Sequence, residues 1–349
     1  TDACGWIPRL TIVPRRHRPP SRPFRLHLQS NPKAPPVFQV TPERYAEAAA
    51  RHPQVAKRVK ATIGTDWDAF DAAMLDADAL AGFYFPHDRF AELAPKLKWI
   101  HIWGAGVEHL VPFDWLPRGI AVINNSGVHA QKAGEFAIMA ILMLNNAMPV
   151  LAANQRAKVW DEIFSTSVAG KTLAVVGVGA MGQAAARRAR QFDMRVIGVR
   201  RSGRPRRDVD EMFALDALDG VLTRADFLLL TIPLTRETEG LIGQRELDLL
   251  KPTACLINMS RAKIVDYDAL ADKLTAGALK GALADVFDPE PLPAGSRLWR
   301  TPNFVMTPHV GSDDNDAYMP RTLDLIFENI DRQLRGRPLK NRVRLSREY

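Results

Sequence analysis

The chain is poor in cysteine. Two occur in 349 residues, Cys4 and Cys255, too few and too far apart for a disulfide framework or a metal-binding spacing. No metal site is expected, and two unpaired thiols suit a reducing cytoplasm. Long apolar runs are also missing. The most apolar helical stretch, Phe136 to Leu144, is about half the length of a membrane span and runs into Asn145-Asn146. The first residues lack the apolar core of a signal peptide, and no internal repeat is evident. Aromatic residues make up 8%, and no motif that interleaves them with basic ones stands out. The net charge of +8 is therefore assigned to anionic small ligands rather than nucleic acid.

What the chain does contain is ordinary for globular protein: 46% apolar and 25% charged residues. Its length suggests two domains of roughly 150 residues each. The central stretch is Lys171 to Arg204. Lys171 to Val176 reads as a buried strand, Gly177-Val178-Gly179-Ala180-Met181-Gly182 as a glycine turn, Gln183 to Phe192 as a helix and Met194 to Val199 as a second strand. This is the context of a dinucleotide-binding fingerprint. Gly177 permits the tight turn, Gly179 lets a pyrophosphate approach the backbone, and Gly182 lets the helix pack close to the strand. The helix N-terminus offers its N–H groups to the phosphates.

One residue type is conspicuously missing here. NAD sites place a carboxylate at the end of the second strand to accept from the ribose 2′-OH. This chain has Arg200-Arg201-Ser202, then Arg204, Arg206 and Arg207. Guanidinium groups and a hydroxyl suit a 2′-phosphate, so NADP(H) is the expected cofactor, with NAD(H) as the alternative.

The rest of the chain alternates strands and helices, which implies parallel sheets. Residues 1–22 are Pro- and Arg-rich and read as an extension. Strands are expected at Phe24–Gln29, Val59–Ile63, Ala79–Phe85, Leu97–Trp103 and Ile120–Asn124, with helices opening at Thr41-Pro42, over Trp67–Leu75 and over Arg89–Ala94. A single long helix is expected over His129–Leu151. Beyond the fingerprint, strands are expected at Phe227–Thr231, Ala254–Asn258, Lys280–Val286 and Asn303–Met306, and a closing helix at Thr322–Arg335. The fold class is α/β, with two Rossmann-like or flavodoxin-like domains and the active site in the cleft between them.

Ligands in open α/β sheets sit beyond the carboxyl ends of strands. Arg261, Glu290 and His309 each follow such an end. Arg261 offers a fork of donors for a carboxylate, His309 can carry a proton near neutral pH, and Glu290 can hold the other imidazole nitrogen. Beside a hydride donor, the trio suggests reduction of a 2-oxo acid.

With these motifs in place the chain resembles the D-isomer-specific 2-hydroxyacid dehydrogenases from about Phe24 to Val343. The likeness is densest in Gly177–Gly182, Thr231–Thr235 with Thr238, Ile257–Arg261 with Val265-Asp266, Gly281–Leu292 and Thr307–Gly311. The resemblance implies Arg261, Glu290 and His309 as the catalytic set and Asp285 near the nicotinamide carboxamide. It implies Ala180, Met181, Ile232, Pro233, Thr238, Met259, Ser260 and Gly311 around the cofactor. It implies that the turn Gly104-Ala105-Gly106 holds the substrate carboxylate. It further implies a substrate domain of residues 23–124 and 313–349, a cofactor domain of residues 125–312, and a homodimer built through helices of the cofactor domain.

Within the family, the arginine stretch is closest to NADPH-dependent glyoxylate and hydroxypyruvate reductases. Glu290 argues against formate dehydrogenase chemistry, and the length leaves no expected room for a C-terminal regulatory domain. Two alternatives stand beside the reductase: a dehydrogenase of a bulkier D-2-hydroxy acid, with Phe83-Tyr84-Phe85 and Trp103 near the pocket, and a dinucleotide-sensing binding protein. Ala262-Lys263 departs from the Gly-rich step usual after the arginine, and no role for Lys263 is assigned from sequence.

Overall fold

The computed structural model describes residues 22–87 and 89–349. Most of the expected extension, with Cys4, lies outside the described residues. Arg22, its last residue, forms a two-pronged ion pair with Asp78 at 2.9 and 3.0 Å. Asp78 is a buried carboxylate and takes every donor within reach, including the Arg25 N–H and Lys98 Nζ, each at 2.9 Å.

Strands β1 (Phe24–Gln29), β2 (Val59–Gly64), β3 (Ala79–Gly82), β4 (Trp99–Ile102) and β5 (Ala121–Ile123) form one sheet in the order β2-β1-β3-β4-β5. All its pairs are parallel, and this order is the flavodoxin-like one. Strands β6 (Thr172–Val176), β7 (Arg195–Val199), β8 (Glu211–Phe213), β9 (Phe227–Leu230), β10 (Cys255–Asn258), β11 (Gly281–Ala284) and β12 (Phe304–Met306) form the second. Its order is β12-β11-β10-β9-β6-β7-β8, again parallel throughout. Strands β9, β10 and β11 are buried along their whole length. Helices cover both faces, so these strands read as unbroken apolar runs rather than alternating ones. The strand order reverses between β6 and β9, and the crevice at that switch point opens beyond Val176 and Leu230.

The helix Ala130–Asn145 packs on the second sheet through Ala133, Phe136, Ala140 and Ile141. Gly134 lets it lie against the helix Ala180–Arg190, since a Cβ there would come 3.0 Å from the Ala184 carbonyl. The helix Tyr318–Leu334 returns to the first sheet, where Leu323, Ile326, Phe327 and Ile330 share a core with Leu26, Leu28 and Trp99.

Four expectations are corrected. The single helix over His129–Leu151 is two, Ala130–Asn145 and Met148–Ala157, bent by 60°. Pro149 causes this: it has no N–H and its ring would clash with the Asn145 carbonyl, so Ala147 turns to φ +51° and a new helix starts. The fingerprint helix begins at Ala180 rather than Gln183, which brings its N-terminus into the glycine turn. The third expected strand stops at Gly82, leaving Phe83-Tyr84-Phe85 in the loop beyond. Strand β8 was not expected; three edge residues carry too little pattern to stand out. No single helix among the described residues is long and apolar enough to cross a membrane.

Candidate active site

The turn after β6 has the geometry its glycines suggest. Gly177 sits at φ +100°, and a Cβ there would come 2.5 Å from the Ile232 nitrogen. A Cβ at Gly182 would lie 2.5 Å from the Gly177 carbonyl and 2.7 Å from Thr231 Oγ1. That hydroxyl donates to the Gly177 carbonyl at 2.7 Å, tying β9 to the turn. At Gly179 nothing lies within 4 Å of the Cβ position. Gly179 is also the helix N-cap, with no side chain to satisfy the first N–H groups. Two glycines are required by packing and the third leaves open space before the helix N-terminus, so the residues present fit a dinucleotide pyrophosphate.

Arg261 follows β10, in a turn that Asn258 organises. The Asn258 Oδ1 accepts from the Ser260 N–H at 3.0 Å and from its hydroxyl at 2.6 Å, while Nδ2 donates to the Arg261 carbonyl at 3.1 Å. Tyr267 closes the set by donating to the Val286 carbonyl at 2.8 Å. Glu290 and His309 meet directly: Glu290 Oε2 lies 2.9 Å from His309 Nδ1. The other carboxylate oxygen accepts the Phe287 N–H at 2.8 Å. Both side chains remain about two-fifths exposed, 39% and 42%, so the pair stands at an open cleft.

Arg261 makes no hydrogen bond or ion pair to either partner of that pair. Its Nη1 donates to the Ser260 carbonyl at 2.7 Å, and its Nε donates to Glu108. Glu108 opens a short 3-10 turn just after the loop Gly104-Ala105-Gly106 that leaves β4. A Cβ on Gly106 would overlap both Arg261 Nη2 and Glu108 Oε2. The Gly104 carbonyl accepts from the Asn125 N–H at 2.9 Å and the Ala105 carbonyl from Asn124 Nδ2 at 2.8 Å. Among the described residues, the N–H groups of Ala105 and Gly106 donate to no protein acceptor, so they are available to an anion beside Arg261. Burial works against charge on Glu108, yet the charge and hydrogen bond of Arg261 hold its carboxyl below the usual range.

Residues 138–311 match the family described as D-isomer specific 2-hydroxyacid dehydrogenase, NAD binding domain. A glyoxylate reductase of Thermococcus litoralis is 35% identical over 237 residues, covering 65% of this chain and 71% of the relative. The chain belongs to the D-isomer-specific 2-hydroxyacid dehydrogenases. Two solved structures agree. A D-isomer specific 2-hydroxyacid dehydrogenase of Xanthobacter autotrophicus Py2, in complex with NADPH and MES, superposes with a TM-score of 0.79 at 29% identity, over 93% of this chain and 99% of that one. An NADPH-dependent glyoxylate/hydroxypyruvate reductase of Sinorhizobium meliloti, in complex with NADP and sulfate, gives 0.79 at 25% identity over the same shares.

As a 2-hydroxyacid dehydrogenase the chain is an oxidoreductase that uses a nicotinamide cofactor and acts on a small molecule. Several residues expected at its cofactor turn out to be committed within the protein. Thr238 donates to the Pro233 carbonyl at 2.7 Å and accepts the Thr235 N–H at 2.9 Å, so it shapes the loop after β9. Met259 is buried in the core beneath the sheet, and the Ser260 hydroxyl is held by Asn258. Their backbone N–H groups are engaged as well, Thr238 with the Thr235 carbonyl at 3.0 Å, Met259 with the Leu230 carbonyl at 3.1 Å and Ser260 with Asn258 at 3.0 Å. Of the first helical turn, Ala180 is half-buried, as is Met181 against the core; Ile232 is half-buried and Pro233 exposed at the crevice.

Asp285 of this dehydrogenase is buried, and burial raises its carboxyl above the usual range against the pull of three hydrogen-bond donors. Its oxygens accept the Thr307 hydroxyl at 2.6 Å and the N–H groups of Val310 at 3.0 Å and Gly311 at 2.9 Å. Those residues flank His309, which sits at φ +55°. Asp285 therefore anchors the turn that presents the imidazole. Gly311 is small for the same reason, since a Cβ would come 2.8 Å from Asp285 Oδ2.

The arginine loop is partly engaged. Arg201 pairs with Glu237 at 2.6 Å and lies over the Tyr349 ring at 5.5 Å. Arg200 is half-buried, and burial followed by the charge of Arg206 lowers its affinity for its proton. Ser202 is exposed. Lys263 gains a partner that sequence did not suggest: Asp288 of the Glu290 loop, at 3.4 Å. Ala262 opens a 3-10 turn at an ordinary backbone angle, so its Cβ needs no adjustment. Cys255 is buried, its thiol pushed up to about 11 by burial, which leaves it unreactive. Among the described residues no cluster could hold a metal ion.

Proposed function

We propose that the chain is an NADP(H)-preferring reductase of small 2-oxo acids, glyoxylate or hydroxypyruvate, forming D-2-hydroxy acids. The observation that carries the reading is that the Glu290–His309 pair and Arg261 follow the carboxyl ends of the neighbouring strands β10, β11 and β12, with Arg261 set beside the Gly104–Gly106 loop. The arginine loop at the end of β7 supports the 2′-phosphate preference. The names of the relative and of the NADP-bound neighbour point the same way.

Arg261 Nη atoms and the Ala105 and Gly106 N–H groups receive the substrate carboxylate and orient the carbonyl. The Gly177–Gly182 turn would hold the pyrophosphate of a nicotinamide dinucleotide, which when bound would supply the hydride. His309 delivers a proton from Nε2 to the carbonyl oxygen, while Glu290 holds Nδ1–H and so fixes the tautomer and the ring plane. In the reverse direction neutral His309 accepts the hydroxyl proton. Residues 23–124 with 313–349 act as the substrate domain and 125–312 as the cofactor domain, closing on each other over the substrate. Exposed Trp160 and Phe164, beside the helix Met148–Ala157, suit burial in a homodimer of cofactor domains.

Phe83 supports a second reading. A Cβ on Gly104 would come 2.8 Å from its ring, and the ring stacks on His109 at 4.6 Å. It therefore walls the substrate loop, as a pocket for a bulkier 2-oxo acid requires. Phe85 is core and Tyr84 is 67% exposed. Initial rates with glyoxylate, hydroxypyruvate and phenylpyruvate, each with NADPH and NADH, test the readings. Fast turnover of a small oxo acid with NADPH supports the first and faster phenylpyruvate reduction the second. Tight cofactor binding without any turnover sinks both and leaves a dinucleotide-sensing protein.

A further inference from the structure

Arg261 reaches the cleft already paired. Glu108 takes Nε, and because a Cβ on Gly106 would overlap both Nη2 and Glu108 Oε2, the carboxylate lies along the Nε–Nη2 edge. Ser260 takes one Nη1 proton. The guanidinium is left with donors for one further carboxylate and no more. The neighbouring charged groups are already engaged. Lys263 is engaged by Asp288, and Glu290 faces His309. His109, next to Glu108, is driven towards its neutral form, chiefly by burial. Each of the three carboxylates is thus matched by one partner, Glu108 by Arg261, Asp288 by Lys263 and Glu290 by His309, so none of these three basic groups is left unpaired.

We propose that Glu108 sets the charge selectivity of this cleft: it fixes Arg261 for one substrate carboxylate and repels any substrate carrying a second. The proposal rests on the reading that Arg261 binds the substrate carboxylate. Substrates with a neutral or hydroxyl-bearing C3 are accepted; those with a C3 carboxylate meet Glu108, where Arg261 and Lys263 are already paired. One full charge at this range in a partly solvated site corresponds to about a tenfold or larger effect on relative kcat/KM.

The test compares hydroxypyruvate with oxaloacetate, which exchange a C3 hydroxyl for a carboxylate, using the full chain with NADPH. Glu108→Gln keeps the size and a hydrogen-bond acceptor but removes the charge. It should raise kcat/KM for oxaloacetate relative to hydroxypyruvate at least tenfold, mainly by lowering KM for oxaloacetate. An unchanged ratio, or equal losses with both substrates, overturns the proposal. Competitive inhibition of the unaltered protein by butyrate and succinate needs no variant: butyrate should bind at least tenfold tighter, and equal binding also overturns it. Arg261→Gln separates the two levels. If it leaves KM for hydroxypyruvate unaltered, the carboxylate-binding role of Arg261 is wrong. If it raises that KM sharply while Glu108→Gln leaves the ratio untouched, only the selectivity proposal fails.

Discussion

Glu290 Oε2 stands 2.9 Å from His309 Nδ1, and the same carboxylate is pinned through its other oxygen by the Phe287 N–H. The imidazole is thus held on one side by a carboxylate that is itself held. His309→Gln is expected to lower kcat for 2-oxo acid reduction about 10²- to 10⁴-fold, the usual contribution of a positioned general acid. Glu290→Gln should cost less, about 10- to 100-fold, because the ring keeps its place on the Asp285-anchored turn. Steady-state kinetics with hydroxypyruvate check both, and equal losses would mean that Glu290 does more than orient the ring.

The arginine loop makes a cofactor prediction with two opposite signs. Arg200→Asp combined with Arg201→Ala should weaken NADPH far more than NADH. Glu237→Gln should do the reverse, releasing Arg201 from its 2.6 Å partner and tightening NADPH severalfold, the scale of one exposed ion pair. KM values for both cofactors decide the matter, and parallel changes for NADPH and NADH would remove the 2′-phosphate assignment.

The fingerprint glycines separate stability from binding. Gly177→Ala places a Cβ 2.5 Å from the Ile232 nitrogen at φ +100° and should destabilise the fold by about 2 kcal/mol or more. Gly179→Ala meets nothing within 4 Å and should leave the melting temperature of the free protein nearly unchanged, while raising the cofactor dissociation constant at least tenfold. Thermal melts with and without NADPH distinguish the two.

His101 predicts an acid limit to stability. It is fully buried, its Nε2 lies 2.8 Å from Asn125 Oδ1, and burial pulls its proton affinity down from 6.5 to about 4. The unfolded chain therefore binds a proton that the folded chain refuses. The neutral ring's contribution is present above about pH 6.5 and is lost as pH falls towards 4, amounting to about 3 kcal/mol at most. His101→Gln keeps a donor to Asn125 and removes the titration, so melting temperature should depend less on pH between 6.5 and 4.5. An identical slope in both proteins would assign the acid sensitivity elsewhere.

The sequence by itself determined the alternation of strands and helices, the glycine turn and the three strand-end residues. These are local quantities: apolar runs that must be buried on both faces, a turn only glycine can make, and side chains placed by a strand terminus. The bend at Ala147 was also legible in Pro149, but the apolar run around it is strong enough to hide a single residue. Only the tertiary structure decided which strand-end residues touch. Glu290 reaches His309, whereas Arg261 pairs with Glu108, 153 positions away in sequence and on the other sheet's loops. No periodicity or spacing carries such a pairing, because it joins loops that leave two different sheets. The same holds for Asp285 beneath the His309 turn and for Asp288 against Lys263. In each case the chemistry of the residue was readable in the sequence, and its partner was set by the packing of the chain.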